Sequence, residues 1–221
     1  INTMKILIIG ATGMAGSEIV QAASNRGHKV IALARSEDRL KELRKMNPGI
    51  KLLVKDVFQL SKEELSSVDV IVNAFSVRPE KAYLHVDLAA KLISFFRETE
   101  TPRLVFILGA GSLHTGTDHH LLVKDMEKDP KNKSFIAVPQ NQLKEFNFLK
   151  EVDNVNWVGI SPAASFHAGK AKSVLKGKED LLFNENGKSE TSSGTMVQAV
   201  LDEIEKPVHR QVRFTVADGI N

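Results

Sequence analysis

Three regularly spaced glycines are the first residues of this chain that could do chemistry. Gly10, Gly13 and Gly16 follow the apolar run at residues 5–9 and precede a stretch with helical periodicity. A turn between a strand and a helix needs the backbone freedom of glycine, and bare N–H groups at a helix N-terminus bind the pyrophosphate of a dinucleotide. A tight turn without a ligand is the alternative. The strand before the motif and the helix after it favour a dinucleotide site.

Arg35 and Ser36 lie about 20 residues beyond the glycines, where an NAD-preferring site carries an acidic residue that binds the ribose 2′-OH. Arg35 is instead a cation, and Arg39 follows one helical turn later. Arg35 and Ser36 together could hold a 2′-phosphate through charge-assisted hydrogen bonds. We therefore predict NADP(H) in preference to NAD(H). Glu37 and Asp38 are the opposing observation, because either carboxylate could reach the ribose.

The elements that must position these residues alternate between strand and helix. Six short apolar runs are typical of strands, and helical patterns separate them. The run at residues 5–9 is continuous, as expected for a strand buried on both faces of a parallel sheet. The strands are predicted at residues 5–9, 30–34, 50–54, 68–72, 104–108 and 157–160. This alternation predicts an α/β fold with a doubly wound parallel sheet.

Local signals predict where several helices begin and end. Ser36 is an expected N-cap, and Ser61 with Glu64 forms an expected capping box. A long helix is predicted over about 79–98, ended by Thr101-Pro102, and another over about 139–152. Residues 113–134 are polar, with one short helix expected at 121–128.

The end of the chain has shorter apolar runs and more glycine, lysine and asparagine. Strands are predicted at 174–175, 181–183 and 212–216, with a helix at 196–205. This segment is too short for an independent domain. We therefore expect a single NAD(P)-binding domain over 1–221, with a dinucleotide-binding core to about residue 162 and a small C-terminal, substrate-side cap from about 163 to 221.

Two groups of motifs resemble a known family. Residues 5–16 resemble the opening of the atypical short-chain dehydrogenase/reductase superfamily, which implies a Rossmann-type sheet. Residues 161–166, 187–189, 201–205 and 209–217 resemble its NAD(P)H-binding branch of NADH-flavin reductase-like proteins. That branch is related to NmrA-like regulators and to biliverdin and flavin reductases. The resemblance covers nearly the whole chain.

The resemblance implies where the cofactor binds. Asp56 and Val57 would flank the adenine, although Asp56 could equally be a turn former, and residues 73–75 would line the cofactor. Phe166 and His167 are substrate-side candidates. The full set of expected cofactor-binding residues is Gly10, Thr12, Gly13, Met14, Gly16, Arg35, Ser36, Asp56, Val57, Asn73, Ala74, Phe75, Gly109, Ser161, Pro162 and Ala163.

The comparison with the superfamily also reveals a missing acid. Most short-chain dehydrogenases protonate the substrate carbonyl with a tyrosine, placed four residues before a lysine on the helix after the fifth strand. The single tyrosine here, Tyr83, precedes the fifth strand, and Asp87 stands four residues after it. Ser112 matches the superfamily's serine after that strand and is the candidate catalytic residue.

This absence narrows the chemistry. Ketone reduction or epimerisation needs a positioned acid–base group, worth roughly 10²–10⁴-fold in rate. Hydride transfer to a flavin or quinone needs less, because the ring delocalises the charge and solvent can supply the proton. We expect an NAD(P)H-dependent oxidoreductase that reduces a small planar acceptor, with a flavin among the candidate substrates. The alternatives are a non-catalytic NAD(P)-sensing regulator of the NmrA type and, third, an epimerase/dehydratase-like enzyme.

Composition excludes several other classes. The 30 basic and 27 acidic residues give a formal charge of +3 and are interspersed, so no nucleic-acid footprint is expected. No apolar run approaches the roughly 20 residues of a membrane span, and no signal-peptide pattern is present. The absence of cysteine removes thiolate metal sites and redox thiols. His114, His119 and His120 share a polar loop without a matching carboxylate pattern, so no metal site is predicted. We expect a cytoplasmic protein.

Overall fold

The computed structural model describes residues 2–220. Twelve strands are assigned there: β1 (Lys5–Ile9), β2 (Lys29–Ala34), β3 (Lys51–Val54), β4 (Val70–Asn73), β5 (Thr99–Ile107), β6 (His114–Thr115), β7 (His120–Leu121), β8 (Val155–Ser161), β9 (Ser165–His167), β10 (Val174–Gly177), β11 (Glu190–Ser192) and β12 (Arg213–Asp218). Seven α-helices are assigned in the same range: α1 (Met14–Asn25), α2 (Glu37–Met46), α3 (Lys62–Ser66), α4 (Leu84–Phe96), α5 (Leu122–Lys128), α6 (Ala137–Lys150) and α7 (Ser193–Glu205).

A central sheet of eight strands has the order β10-β12-β8-β5-β4-β1-β2-β3. Neighbouring strands are parallel except β10, which is antiparallel to β12. The strand order reverses direction between β1 and β4, where Ile9 lies opposite both Leu33 and Asn73. This topology confirms the doubly wound, Rossmann-like α/β fold. Ligands bind such sheets at the carboxyl ends of the strands beside this reversal.

Both faces of the sheet are covered, which explains the continuous apolar strands. Ile6 and Ile8 pack with residues of α1 and α7 on one face, whereas Leu7 and Ile9 pack with residues of α4 and α6 on the other. A strand buried on both sides is mostly apolar along its whole length. The runs at residues 5–9 and 104–108 are therefore confirmed as core strands, whereas the run at 50–54 forms the partly exposed edge strand β3.

The two expected N-caps are confirmed, whereas the helix predicted from about residue 79 begins at Leu84, after a 3₁₀ turn at Pro79–Lys81. The Ser36 hydroxyl accepts a hydrogen bond from the Arg39 N–H at the start of α2. At the start of α3, Ser61 and Glu64 form both hydrogen bonds of the capping box. Each cap satisfies N–H groups that have no partner within the helix.

The prediction that Thr101-Pro102 ends a helix reaching residue 98 was wrong. Helix α4 ends at Phe96, and Thr101 and Pro102 lie inside β5, which begins at Thr99. Glu98 turns the chain with φ 64°, and its N–H donates to the Asn154 carbonyl at 2.6 Å. The register with β8 shifts between Thr99 and Leu104. Such irregularities accommodate a proline, which has no N–H for the ladder.

The strand predicted at 181–183 was also wrong. Only Asp180 forms a bridge there, with His114, and Leu181 is buried without joining a ladder. Leu182 lies against Gly177, while Phe183 is exposed. These apolar residues therefore pack or face solvent instead of pairing as a strand.

The C-terminal segment lies at one edge of the sheet. Strand β12 pairs with β8 and carries β10 on its outer side, while α7 packs against α1. A separate parallel pair, β9 and β11, lies beside this edge. The division near residue 162 stays a prediction. Across residues 2–220, no helix is both long enough and apolar enough to cross a membrane.

Candidate functional site

Two adjoining clefts open at the carboxyl ends of the central strands. The large cleft, of about 1020 Å³, lies between the glycine turn, the ends of β2 and β3, and residues 74–84. The small cleft, of about 340 Å³, lies between the start of α1, the end of β5, α6 and residues 162–166. Gly13, Ala74, Phe75 and Ser76 line both, so the two clefts form one continuous groove.

Most of the expected binding residues line this groove. In the large cleft lie Gly10, Thr12, Gly13, Arg35, Ser36, Asp56, Val57, Ala74 and Phe75. In the small cleft lie Gly13, Met14, Ala74, Phe75, Gly109, Pro162, Ala163 and Phe166. Gly16, Asn73, Ser112, Ser161 and His167 are outside both linings.

Glycine suits each of the three positions of the motif for a different structural reason. Gly10 has φ 77°, and a Cβ there would overlap the Ala74 carbonyl. A Cβ on Gly16 would overlap the Gly10 carbonyl, so Gly16 lets α1 pack against the turn. Gly13 is the N-cap of α1 and faces both clefts. The first N–H groups of α1 therefore border the groove without a side-chain cap, which suits an anion.

Cationic side chains border the outer part of the large cleft. Arg35, Arg39 and Lys55 all line it. The Arg39 guanidinium donates to the Thr12 carbonyl at 2.7 Å and so ties α2 to the glycine turn. Lys55, which the motif analysis missed, lies 2.7 Å from the Glu64 carboxylate.

Glu37 and Asp38, the carboxylates that could favour NAD(H), lie outside the large cleft. Glu37 forms an ion pair with Lys41 at 2.8 Å, and the Lys41 ammonium lowers the pKa of Glu37. Neither Glu37 nor Asp38 lines the large cleft. The side chains that line the cleft beyond the end of β2 are therefore those of Arg35, Ser36 and Arg39.

Two polar residues after strands shape the groove through backbone contacts. The Asp56 carboxylate accepts a hydrogen bond from the Phe58 N–H at 2.9 Å and caps a 3₁₀ turn while also lining the large cleft. Buried Asn73 accepts a hydrogen bond from the Phe75 N–H at 3.0 Å. Asn73 therefore positions the segment that lines both clefts, although its own side chain lies outside the linings.

The small cleft is apolar. Its side-chain walls come from Met14, Phe75, Met126, Pro139 and Phe166, with backbone from the end of β5. Among residues 2–220, no charged or titratable side chain lines it. The polar side chains in the lining are Ser76 and Gln142, which the sequence analysis did not single out. The cleft can thus enclose a planar ring, but it offers no group that ionises.

Ser112 and Ser161 are bound to a buried arginine. Nη1 of Arg213 donates to the Ser112 hydroxyl at 2.7 Å and to the Ser161 hydroxyl at 3.0 Å, and its Nε donates to Glu179 at 2.7 Å. The guanidinium also stacks over the Phe146 ring. Burial lowers the pKa of Arg213, although Glu179 opposes this shift. The structure thus places Ser112 outside both clefts, in a buried cluster that joins the segment after β5 to β8 and β12.

A buried titratable pair lies behind Phe75. The His85 ring contacts the edge of Phe75 with centroids 5.6 Å apart, and His85 Nδ1 lies 4.0 Å from Glu145 Oε1. In the described residues, His85 Nε2 and Glu145 Oε1 have no hydrogen-bond partner. Burial lowers the pKa of His85 to about 4 and raises the pKa of Glu145 well above its ordinary value. Burial therefore disfavours the charged form of both groups.

The remaining histidine candidates do not form a site. His167 is exposed and lies 3.6 Å from Glu190, outside the small cleft. His120 lies between Asp118 and Asp125, whose hydrogen bonds raise its pKa. Within residues 2–220, no three histidine, aspartate or glutamate side chains are grouped to hold a metal ion.

Known proteins resemble this chain along most of its length. The family model described as NAD(P)H-binding matches residues 10–207. The Bacillus subtilis (strain 168) protein YwnB is 38% identical over 215 residues, covering 96% of this chain and 98% of YwnB. A proposed NADH-flavin reductase from Streptococcus pneumoniae TIGR4 is 28% identical with a TM-score of 0.86, covering 97% of this chain and 99% of that chain. A proposed epimerase from Bacteroides thetaiotaomicron is 27% identical with a TM-score of 0.84, covering 100% of this chain and 99% of that chain.

The family model includes the glycine turn, both clefts and most of the C-terminal segment. The relatives extend the likeness to nearly the full length, and they match the superfamily that the motifs indicated. The chain belongs to the NAD(P)H-binding family.

Proposed function

We propose that this protein is an NADPH-dependent oxidoreductase that passes hydride to a planar conjugated acceptor without a tyrosine acid. The observation that carries the proposal is the apolar small cleft, which adjoins the glycine turn and has no titratable side chain in its described lining. A flavin or quinone suits such a cleft, because its ring delocalises the charge that hydride brings. The name of the Streptococcus relative supports the same reaction type.

The preference for NADPH rests on the charges of the large cleft. Arg35 and Arg39 line it, whereas Glu37 and Asp38 do not. A 2′-phosphate would find cationic donors there, and the hydroxyl of Ser36 would add a further hydrogen bond.

Changing Arg35 to aspartate tests this preference. We expect Arg35→Asp to weaken NADPH binding by about 30-fold or more, since a charge-assisted hydrogen bond is lost and a repulsive charge is gained. NADH binding should change by less than about 3-fold. Titration of each cofactor followed by nicotinamide fluorescence measures both affinities. Arg44→Asp is the matched control, because Arg44 lies on α2, the helix that follows Arg35, and is outside the lining of the large cleft. Equal weakening of NADPH and NADH binding would contradict the preference.

Steady-state oxidation of NADPH tests the activity itself. We expect turnover when FMN, FAD, biliverdin or a quinone is supplied, with the nicotinamide absorbance as readout. Tight NADPH binding without turnover on any of these acceptors would remove the proposed activity.

A cofactor-sensing regulator is the second candidate, and the small cleft without ionising groups favours it too. Such a protein would bind NADP⁺ and NADPH with similar affinity and transfer no hydride. An epimerase ranks third, because it needs an acid–base group that the described lining does not supply. The proposed setting is the cytoplasm, with a small-molecule acceptor and neither nucleic acid nor membrane as partner.

A further inference from the structure

The two clefts differ in the charge of the side chains that line them. The described lining of the large cleft carries five cationic and two anionic side chains, whereas that of the small cleft carries no charge of either sign. The nearest titratable groups are buried away from it: the His85 ring contacts Phe75, and His85 Nδ1 lies 4.0 Å from Glu145 Oε1. A charged group on a molecule in the small cleft would therefore lose water without gaining an ionic partner.

Two polar side chains line this apolar space, those of Ser76 and Gln142. A Cβ placed on Gly109 would collide with the side-chain amide of Gln142, so that amide lies directly over the end of β5. Within residues 2–220, no protein atom makes a hydrogen bond with the Gln142 amide. Gln140, two residues earlier on α6, differs because its amide donates to Glu127 at 2.8 Å outside the groove. The Gln142 amide is thus free to bind a ligand.

We propose that the acceptor in the small cleft is an uncharged quinone and that Gln142 donates a hydrogen bond to its carbonyl oxygen. This inference rests on the proposed function. The quinone ring would lie between Phe75, Phe166 and Met126, with its carbonyl towards the Gln142 Nε2–H.

The reaction balances without an ionising protein group. The quinone gains one hydride, which is two electrons and one proton, and NADPH becomes NADP⁺. The product is a hydroquinone monoanion, whose negative oxygen is stabilised by the Gln142 N–H. A proton from solvent then completes the hydroquinone. Because the charge on that oxygen grows during hydride transfer, the hydrogen bond strengthens most in the transition state.

Matched pairs of acceptors test the charge requirement. 1,4-Naphthoquinone and its 2-sulfonate share one ring system and differ by one anionic group, as riboflavin and FMN do. We expect kcat/KM to be at least about 10-fold higher for the neutral naphthoquinone than for the sulfonate. Equal rates for the two naphthoquinones would overturn the inference. Turnover of both flavins without turnover of either quinone would overturn it while leaving the proposed function intact. No turnover on any acceptor would remove both.

Substitution of Gln142 tests its role. We expect Gln142→Leu to lower kcat for 1,4-naphthoquinone by about 10²-fold with a change in KM below about 3-fold, because the hydrogen bond acts on developing charge. Gln140→Leu on the same helix should retain wild-type rates. NADPH affinity, measured by fluorescence, should be unchanged in both variants. Full activity of Gln142→Leu would overturn the assignment, and so would a rate loss fully explained by weaker NADPH binding.

Discussion

Replacing Gly13 with valine is expected to weaken NADPH binding by about 10²-fold or more while the fold is retained. Gly13 faces both clefts at the start of α1, and its backbone has an extended conformation that valine can adopt. An added Cβ would have one close neighbour, the Gly10 carbonyl oxygen at 3.4 Å, so the protein itself can accommodate it. The side chain would instead occupy the space where a pyrophosphate approaches the N–H groups of α1. Losing one or two charge-assisted hydrogen bonds accounts for the expected change.

Fluorescence titration with NADPH measures this loss, and thermal unfolding separates it from misfolding. The N-cap change should cost about 1 kcal/mol of stability. Gly49→Val is the matched control, since a Cβ there would meet no atom within 4 Å and the residue is remote from the groove. Wild-type NADPH affinity in a folded Gly13→Val protein would show that the glycine turn does not hold the pyrophosphate.

Replacing Arg103 with methionine is expected to lower the free energy of unfolding by about 3–5 kcal/mol, because it leaves a buried carboxylate without its cation. Arg103 Nη2 donates to Glu203 Oε2 at 2.7 Å, and its Nη1 donates to the Glu203 carbonyl at 2.9 Å. The guanidinium also binds the His209 carbonyl at 2.6 Å. Both side chains are buried, so this cluster links β5 to α7 and to the chain that leads into β12.

The pKa of Glu203 predicts how this stabilisation depends on pH. Burial acts to raise the pKa, but hydrogen bonds from His209 and Arg103 outweigh it and lower the pKa below the ordinary value. A carboxylate with a lowered folded pKa contributes stability above its unfolded pKa and loses that contribution as the pH falls. We therefore expect the difference between wild type and Arg103→Met to shrink below about pH 4.3.

Chemical denaturation measured at several pH values tests both expectations. Thermal unfolding at neutral pH should show a melting temperature roughly 10 °C lower for the variant, given about 2–4 °C per kcal/mol for a chain of this size. Arg210→Met is the matched control. Arg210 also binds a carboxylate, that of Glu100, through two hydrogen bonds of 2.9 Å, but this pair is exposed to solvent and should contribute far less to stability. Similar losses in the two variants would show that burial does not decide the contribution.

Local patterns in the sequence predicted much of this fold because they report local physics. The apolar runs of β1 and β5 predicted strands buried on both faces, and the caps at Ser36 and Ser61 marked helix starts to the residue. Errors arose where distant partners compete with local signals. Thr101-Pro102 is a helix terminator by local rules, yet pairing with β8 draws it into β5 through a shift in register.

The features of the candidate site also fall into two groups, those that the sequence determines and those that tertiary packing determines. The sequence by itself determined the spacing of the glycines, the cations after β2 and the misplaced tyrosine, because each depends only on residue type and order. The tertiary structure alone decided which polar groups face the groove. It directs Ser112 to Arg213. Gln140 and Gln142 differ by two positions on one helix, which places them on different sides of it. Only the packing of α6 against the end of β5 determines that Gln142 faces the small cleft.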